Sequence, residues 1–77
     1  MTVAIIKSAV RDLDDDRSAV RVSALEYFNS DSFLDHCKKV AIDHQRIIDS
    51  VSGIVRQEGP RKKKLIKILT GEVNEYS

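Results

Sequence analysis

Tryptophan is absent from this 77-residue sequence, cysteine, methionine and proline occur once each, and glycine occurs three times. With two Phe and two Tyr as the whole aromatic stock, the chain has little from which to build an aromatic cage or a base-stacking platform, so single-strand recognition by stacking is not expected. The lone Cys37 cannot close an internal disulfide, and a secreted domain this small would normally carry such staples, so a reducing, cytoplasmic setting is expected. Few Gly and Pro mean few breakers, which favours helices joined by short polar turns. No long hydrophobic run exists. The opening apolar stretch meets Lys7 far short of a membrane span and has no basic region before it, which predicts neither a leader nor a membrane partner. Neither charge sign dominates, since 13 Lys and Arg face 12 Asp and Glu, for a net charge of +1. The overall field therefore neither demands nor excludes an anionic partner.

What is present is aliphatic: eight Val, eight Ile and five Leu within a sequence that is 42% hydrophobic and 32% charged. That balance supports one modest core and no second domain. Apolar residues Val3, Ile6, Val10 and Leu13, flanked by Ile5 and Ala9, recur at spacings of three and four, which predicts a first helix from Val3 to Leu13 with Thr2 as its cap. Asp14, Asp15 and Asp16 end it and offer a carboxylate to a second helix from about Arg17, with Val20, Ala24, Tyr27, Phe28 and Leu25 on its buried side. A capping box of Ser32 and Asp35 predicts a third helix carrying Phe33, Leu34, Cys37 and Val40. Asp43 then caps a fourth from His44 to Gln57, with Ile47, Ile48, Val51, Ile54 and Val55 inward. Glu58-Gly59-Pro60 is the clearest boundary, Gly suiting a left-handed cap and Pro a first helical turn. A short fifth helix, apolar at Leu65, Ile68 and Leu69 and cationic at Lys63, Lys64 and Lys67, is expected to stop at Gly71, giving one domain over 1–71 and a flexible tail over 72–77. The fold class is an all-α bundle of four to five short helices.

One constellation rises above this pattern. Residues 33–51 fit a helix-turn-helix template: Cys37 is the small inward residue, Val40 packs before the corner, and Ala41 stands where Gly is commonest. Ile42 is the buried turn residue, Asp43 caps the second helix, and Ile47 locks it to the first. His36 and Ser50 depart from the template's apolar preference. On this reading His44, Gln45 and Arg46 open a recognition helix whose donors reach base edges, while Lys38 and Lys39 hold phosphates. Asp49 counts against tight binding because it would face phosphates. Any two short helices meeting at an Ala-Ile-Asp corner give the same spacing without touching nucleic acid.

The stretch Ala24-Leu25-Glu26-Tyr27-Phe28-Asn29-Ser30-Asp31-Ser32-Phe33-Leu34-Asp35-His36-Cys37, followed by Val40-Ala41-Ile42-Asp43 and Ile47, resembles a pattern in short phage and prophage proteins. Their opening also resembles Ala4-Ile5-Ile6-Lys7-Ser8-Ala9-Val10-Arg11-Asp12, so the similarity spans roughly residues 4–48. It implies a phage-derived helical protein with a helix-turn-helix-like unit and no assigned catalysis. Ala41 replaces the usual Gly, and the basic segment after Pro60 lies outside the pattern.

That segment, Arg61-Lys62-Lys63-Lys64 with Lys67, is the strongest charge run, able to neutralise phosphates or simply to solvate a helix face. Residues 1–31 carry four basic and six acidic side chains, whereas residues 32–77 carry nine and six, so the basic charge comes late in the chain. His36, Cys37 and His44 lack a fourth ligand and paired-ligand spacing, so no zinc or other cofactor is expected. A Cys-His nucleophile would need a water-excluding cleft that so short a chain can barely enclose, so an enzyme is not expected. Asp14, Asp15 and Asp16 diverge in direction and serve capping better than a metal. The reading is a cytoplasmic phage-type accessory or regulatory protein that binds double-stranded DNA through His44, Gln45, Arg46, Lys38, Lys39 and Arg61, Lys62, Lys63 and Lys64. The alternative is an inhibitor or adaptor that binds a host protein. A homodimer is expected, because so short a chain leaves an apolar stripe to cover, with the N-terminal helix as candidate.

Overall fold

Each predicted apolar repeat becomes a helix in the computed structural model, which describes residues 2–75: α1 (Thr2–Asp12), α2 (Ser18–Phe28), α3 (Asp31–Lys39), α4 (His44–Val55) and α5 (Pro60–Asn74). No strand occurs among the described residues, so the all-α bundle is borne out. Val3, Ile6, Val10 and Leu13 are all buried, as their spacing predicts. Thr2 is the first residue of α1 rather than its cap. The turn after α1 tightens through Leu13, Asp14 and Asp15 N–H groups, which donate to carbonyls three residues back.

Asp15 braces the start of α2 differently from the expected cap. Its Oδ1 accepts from the Arg17 backbone N–H at 2.8 Å and from Arg17 Nε at 3.1 Å, while its carbonyl accepts from the Arg21 guanidinium. Arg17 itself occupies the cap position with no side-chain cap bond. The start of α3 also moves. Ser30, not Ser32, is the cap, accepting from Phe33 N–H at 3.3 Å and donating to the Tyr27 carbonyl at 2.6 Å. Ser32 and Asp35 lie within the helix, where Asp35 pairs with Lys39 at 3.3 Å. The cap of α4 is as expected, with Asp43 accepting from Gln45 N–H at 3.0 Å, although the helix ends at Val55 and leaves that side chain 43% exposed.

Between α3 and α4 the chain turns in residues 40–43. Ala41 takes a left-handed φ of 58°, the Ile42 N–H donates to the Cys37 carbonyl at 2.9 Å, and the Ala41 N–H donates to the Lys38 carbonyl at 3.3 Å. These bonds complete a Schellman motif, with the buried Ile42 packed in the same core as Cys37.

The largest departure is in α5, which runs straight through Gly71 to Asn74 and buries Val73 completely. Residues 72–75 are therefore not a tail, while Tyr76 and Ser77 lie outside the described residues. Its inward face is Ile66, Leu69 and Val73 with Leu65 alongside, and Ile68, expected inward, is 51% exposed. α1 packs against α2, α3 and α5, and α4 packs against α3 and α5. Lys7 Nζ donates to Asn74 Oδ1 at 2.9 Å, tying α1 to the far end of α5, while Lys63 at the start of α5 lies beside Arg11. α1 and α5 are thus antiparallel. So are α4 and α5, joined at their other end by an Arg46–Glu72 ion pair at 3.7 Å. Tyr27, Phe28 and Phe33 meet edge to face with centroids 5.1–5.6 Å apart, closing the core where α2 turns into α3.

Candidate nucleic-acid interface

The antiparallel order separates the predicted contact residues into two groups. Lys38, Lys39, His44, Gln45 and Arg46 surround the α3–α4 corner, whereas Arg61, Lys62, Lys63 and Lys64 stand at the opposite end of α4. The 12 residues of α4 put about 18 Å between those ends, well beyond the screening length of about 8 Å at physiological salt. The two groups do not form one patch.

Their electrostatics differ. At the corner, Lys39 is paired with Asp35 and Arg46 with Glu72, which leaves Lys38 as the unpaired cation there among the described residues. The Gln45 amide donates to Asp49 Oδ1 at 3.0 Å, so one of its donors is engaged on its own helix. This end carries Lys7, Lys38, Lys39 and Arg46 against Glu26, Asp31, Asp35, Asp43, Asp49, Glu72 and Glu75, a net charge of −3. At the other end none of Arg61, Lys62, Lys63 and Lys64 has a carboxylate within ion-pair distance among the described residues. Three are exposed and Lys62 is half-buried.

Residues that sequence reading did not single out join them. Arg11, at the end of α1, and Arg17 line the same depression as Lys63, together with Asp14, Asp15 and Asp16. Arg21 and Lys62 flank a neighbouring concavity floored by Leu13, Leu25 and Val55, and Arg56 caps α4 nearby. Eight cations (Arg11, Arg17, Arg21, Arg56 and residues 61–64) thus converge from four stretches of chain, against Asp12, Asp14, Asp15, Asp16 and Glu58, for a net charge of +3. The positive end of the 15-residue helix α5 adds to this field. One local signal existed, since Arg17, the cap of α2, and Arg21 in its first turn are spaced four apart. Convergence of the rest is tertiary.

Asp15 answers Arg17 directly: the hydrogen bonds from the Arg17 side chain and backbone N–H hold its carboxyl below the ordinary value.

The His and Cys residues do different work. His36 Nδ1 and the Tyr27 hydroxyl share a hydrogen bond of 2.8 Å, and burial pushes the Tyr27 phenol up to about 12. Cys37 is 1% exposed, and burial followed by the Asp43 carboxylate pushes its thiol up, away from the reactive thiolate. His44 is exposed on the first turn of α4. No group of three His, Cys, Asp or Glu among the described residues is placed to hold a metal ion, and no described helix is long and apolar enough to cross a membrane.

Fold and surface together define a small all-helical protein with separated charge at its two ends. No family model, curated protein or solved structure matches the chain.

Proposed function

We propose that the protein binds double-stranded DNA mainly through the phosphate backbone, as a cytoplasmic accessory or regulatory protein of phage type with no catalytic role. The observation that carries this reading is the set of unpaired cations at residues 61–64, standing at the start of α5 beside Arg11, Arg21 and Arg56. Each phosphate that such a cluster neutralises releases counterions and contributes about 0.9 to the slope of log affinity against log salt.

The α3–α4 corner is the secondary contact, in the manner of a helix-turn-helix. The left-handed turn at Ala41, closed over Ile42, supports it, and the exposed His44, Gln45 and Arg46 supply the donors for base edges. Lys38 and Lys39 serve phosphates there. The paired state of Lys39 and Arg46 makes this end the weaker source of affinity and the better source of any sequence preference.

The test is binding to a mixed pool of duplex DNA across a salt series. Changing Arg61, Lys62, Lys63 and Lys64 together to Ala lowers the slope by about 3, whereas changing Gln45 and Arg46 to Ala lowers it by about 1 at most. Failure of the natural protein to bind at low salt overturns the reading and favours its rival, an inhibitor or adaptor of host machinery that contacts only protein.

A further inference from the structure

We propose that α1 and α2 form the pairing face of a two-fold symmetric homodimer, with α1 antiparallel to α1 of the second copy and Ser8 at the axis. The face is a shallow groove lined by Ala4, Ile5, Ser8, Ala9, Ser23, Ala24 and Tyr27, with Asp12 at one end. Its surface is mostly apolar, and Ile5 stands 47% exposed on its edge. In a chain whose residues are 32% charged, a two-helix face with a single carboxylate and no cation among the described residues that line its groove is distinctive. The absence of cations from its lining makes it unfit for a polyanion, which has the opposite end of α5 to bind. The small side chains at Ala4, Ser8, Ser23 and Ala24 let another helix approach closely.

Charge complementarity identifies that helix as α1 of a second copy. The molecule carries a net charge of +3 at the end where α1 finishes and −3 at the end where α1 starts. A two-fold axis across α1 sets the acidic end of each copy beside the basic end of the other. A parallel arrangement would stack like on like. The groove residues on α1 run from Ala4 to Asp12, so an antiparallel pairing centred on Ser8 sets Asp12 against the first turn of the opposing α1, the positive end of that helix, which favours a carboxylate. The contact is self-complementary, as a two-fold interface requires. The groove lining includes none of residues 61–64, so the pairing does not require any nucleic-acid role.

Sedimentation equilibrium without DNA, over a dilution series from high to low micromolar protein, tests the proposal. The natural chain shows a concentration-dependent mass of two copies, while Ser8→Arg and Ile5→Lys shift the midpoint at least tenfold toward monomer with the helical circular dichroism intact. Ile68→Lys, at an exposed position on α5 outside the groove, leaves the midpoint unchanged. Ser8→Cys, placed at the axis, gives a covalent dimer on mild oxidation, whereas Ser52→Cys on the exposed side of α4 does not. A natural chain that stays monomeric at the highest concentration overturns the proposal. So does a dimer indifferent to Ser8→Arg, or one that Ser52→Cys traps as readily as Ser8→Cys.

Discussion

Ala41 is the residue at which conformation and side chain disagree. A left-handed φ costs a non-glycine L-residue about 1–2 kcal/mol, and glycine returns part of that, about 0.4–1 kcal/mol, through its freer unfolded chain. Ala41→Gly is therefore expected to stabilise the fold by about 0.5–1 kcal/mol, read as a higher urea midpoint with an unchanged slope. A destabilised variant would mean that the turn is not left-handed in solution. Tyr27 supplies the pH test at this scale. Its folded-state pKa is raised to about 12 from the model-compound value of 10.0 because burial disfavours the phenolate, so its contribution is fully present below pH 10 and is lost as the pH rises toward 12. Urea midpoints at pH 8 and pH 11 should fall less in Tyr27→Phe than in the natural chain. Cys37, shifted in the same direction, keeps some of the fall in both proteins. An equal fall in the two proteins would place the Tyr27 phenol in a solvated setting.

Helix ends show where local chemistry decides structure and where packing overrides it. Gly59 has φ 66° and ψ −145°, a backbone region that only glycine enters cheaply, and Pro60 starts the next helix, so this boundary was legible in the sequence, although Gly59 caps the start of α5 and not the end of α4, where Arg56 is the cap. Gly71 was read by the same rule and is different: it sits inside α5, because ending the helix there would release Val73 from full burial. The burial of that side chain, worth roughly 1.5–3 kcal/mol, outweighs the cost of about 1 kcal/mol for glycine in a helix. Two opposite substitutions check this. Gly71→Ala, with nothing within 4 Å of the added Cβ, stabilises by about 1 kcal/mol, while Gly59→Ala destabilises by roughly 1–3 kcal/mol. Thermal midpoints that move the same way in both variants would contradict the two backbone assignments. Ser30 in place of Ser32 at the start of α3 has a similar origin. Both residues suit a cap, and burying Phe33 completely selects the earlier one, whose hydroxyl then reaches the Phe33 N–H.

At the scale of the whole molecule, chain order misleads about charge. Residues 38, 39 and 46 belong to the basic part of the sequence yet stand at the acidic end of the fold, because the C-terminal part of α5 returns Glu72 and Glu75 to them while Arg11, Arg17 and Arg21 join residues 61–64 at the other end. Periodicity and capping identify helices, but the direction in which a helix returns is decided by which apolar faces pack, and that information is spread over the chain. The Arg46–Glu72 pair can be used to ask which end meets DNA. Both side chains are well exposed, at 66% and 39%, so the pair contributes little to stability, and Glu72→Gln should leave the fold intact. The same change frees Arg46 and removes one negative charge from the corner. If the corner touches phosphates, duplex affinity at low salt rises about twofold, corresponding to roughly 0.5 kcal/mol, and the gain fades as salt is added. If residues 61–64 act alone, about 18 Å away across a screened solvent, Glu72→Gln binds as the natural chain does while Lys63→Glu weakens binding at every sequence tested. Affinities of these two variants over one salt series thus separate a helix-turn-helix reader from a backbone clamp, because the charges they alter stand at opposite ends of the same antiparallel pair.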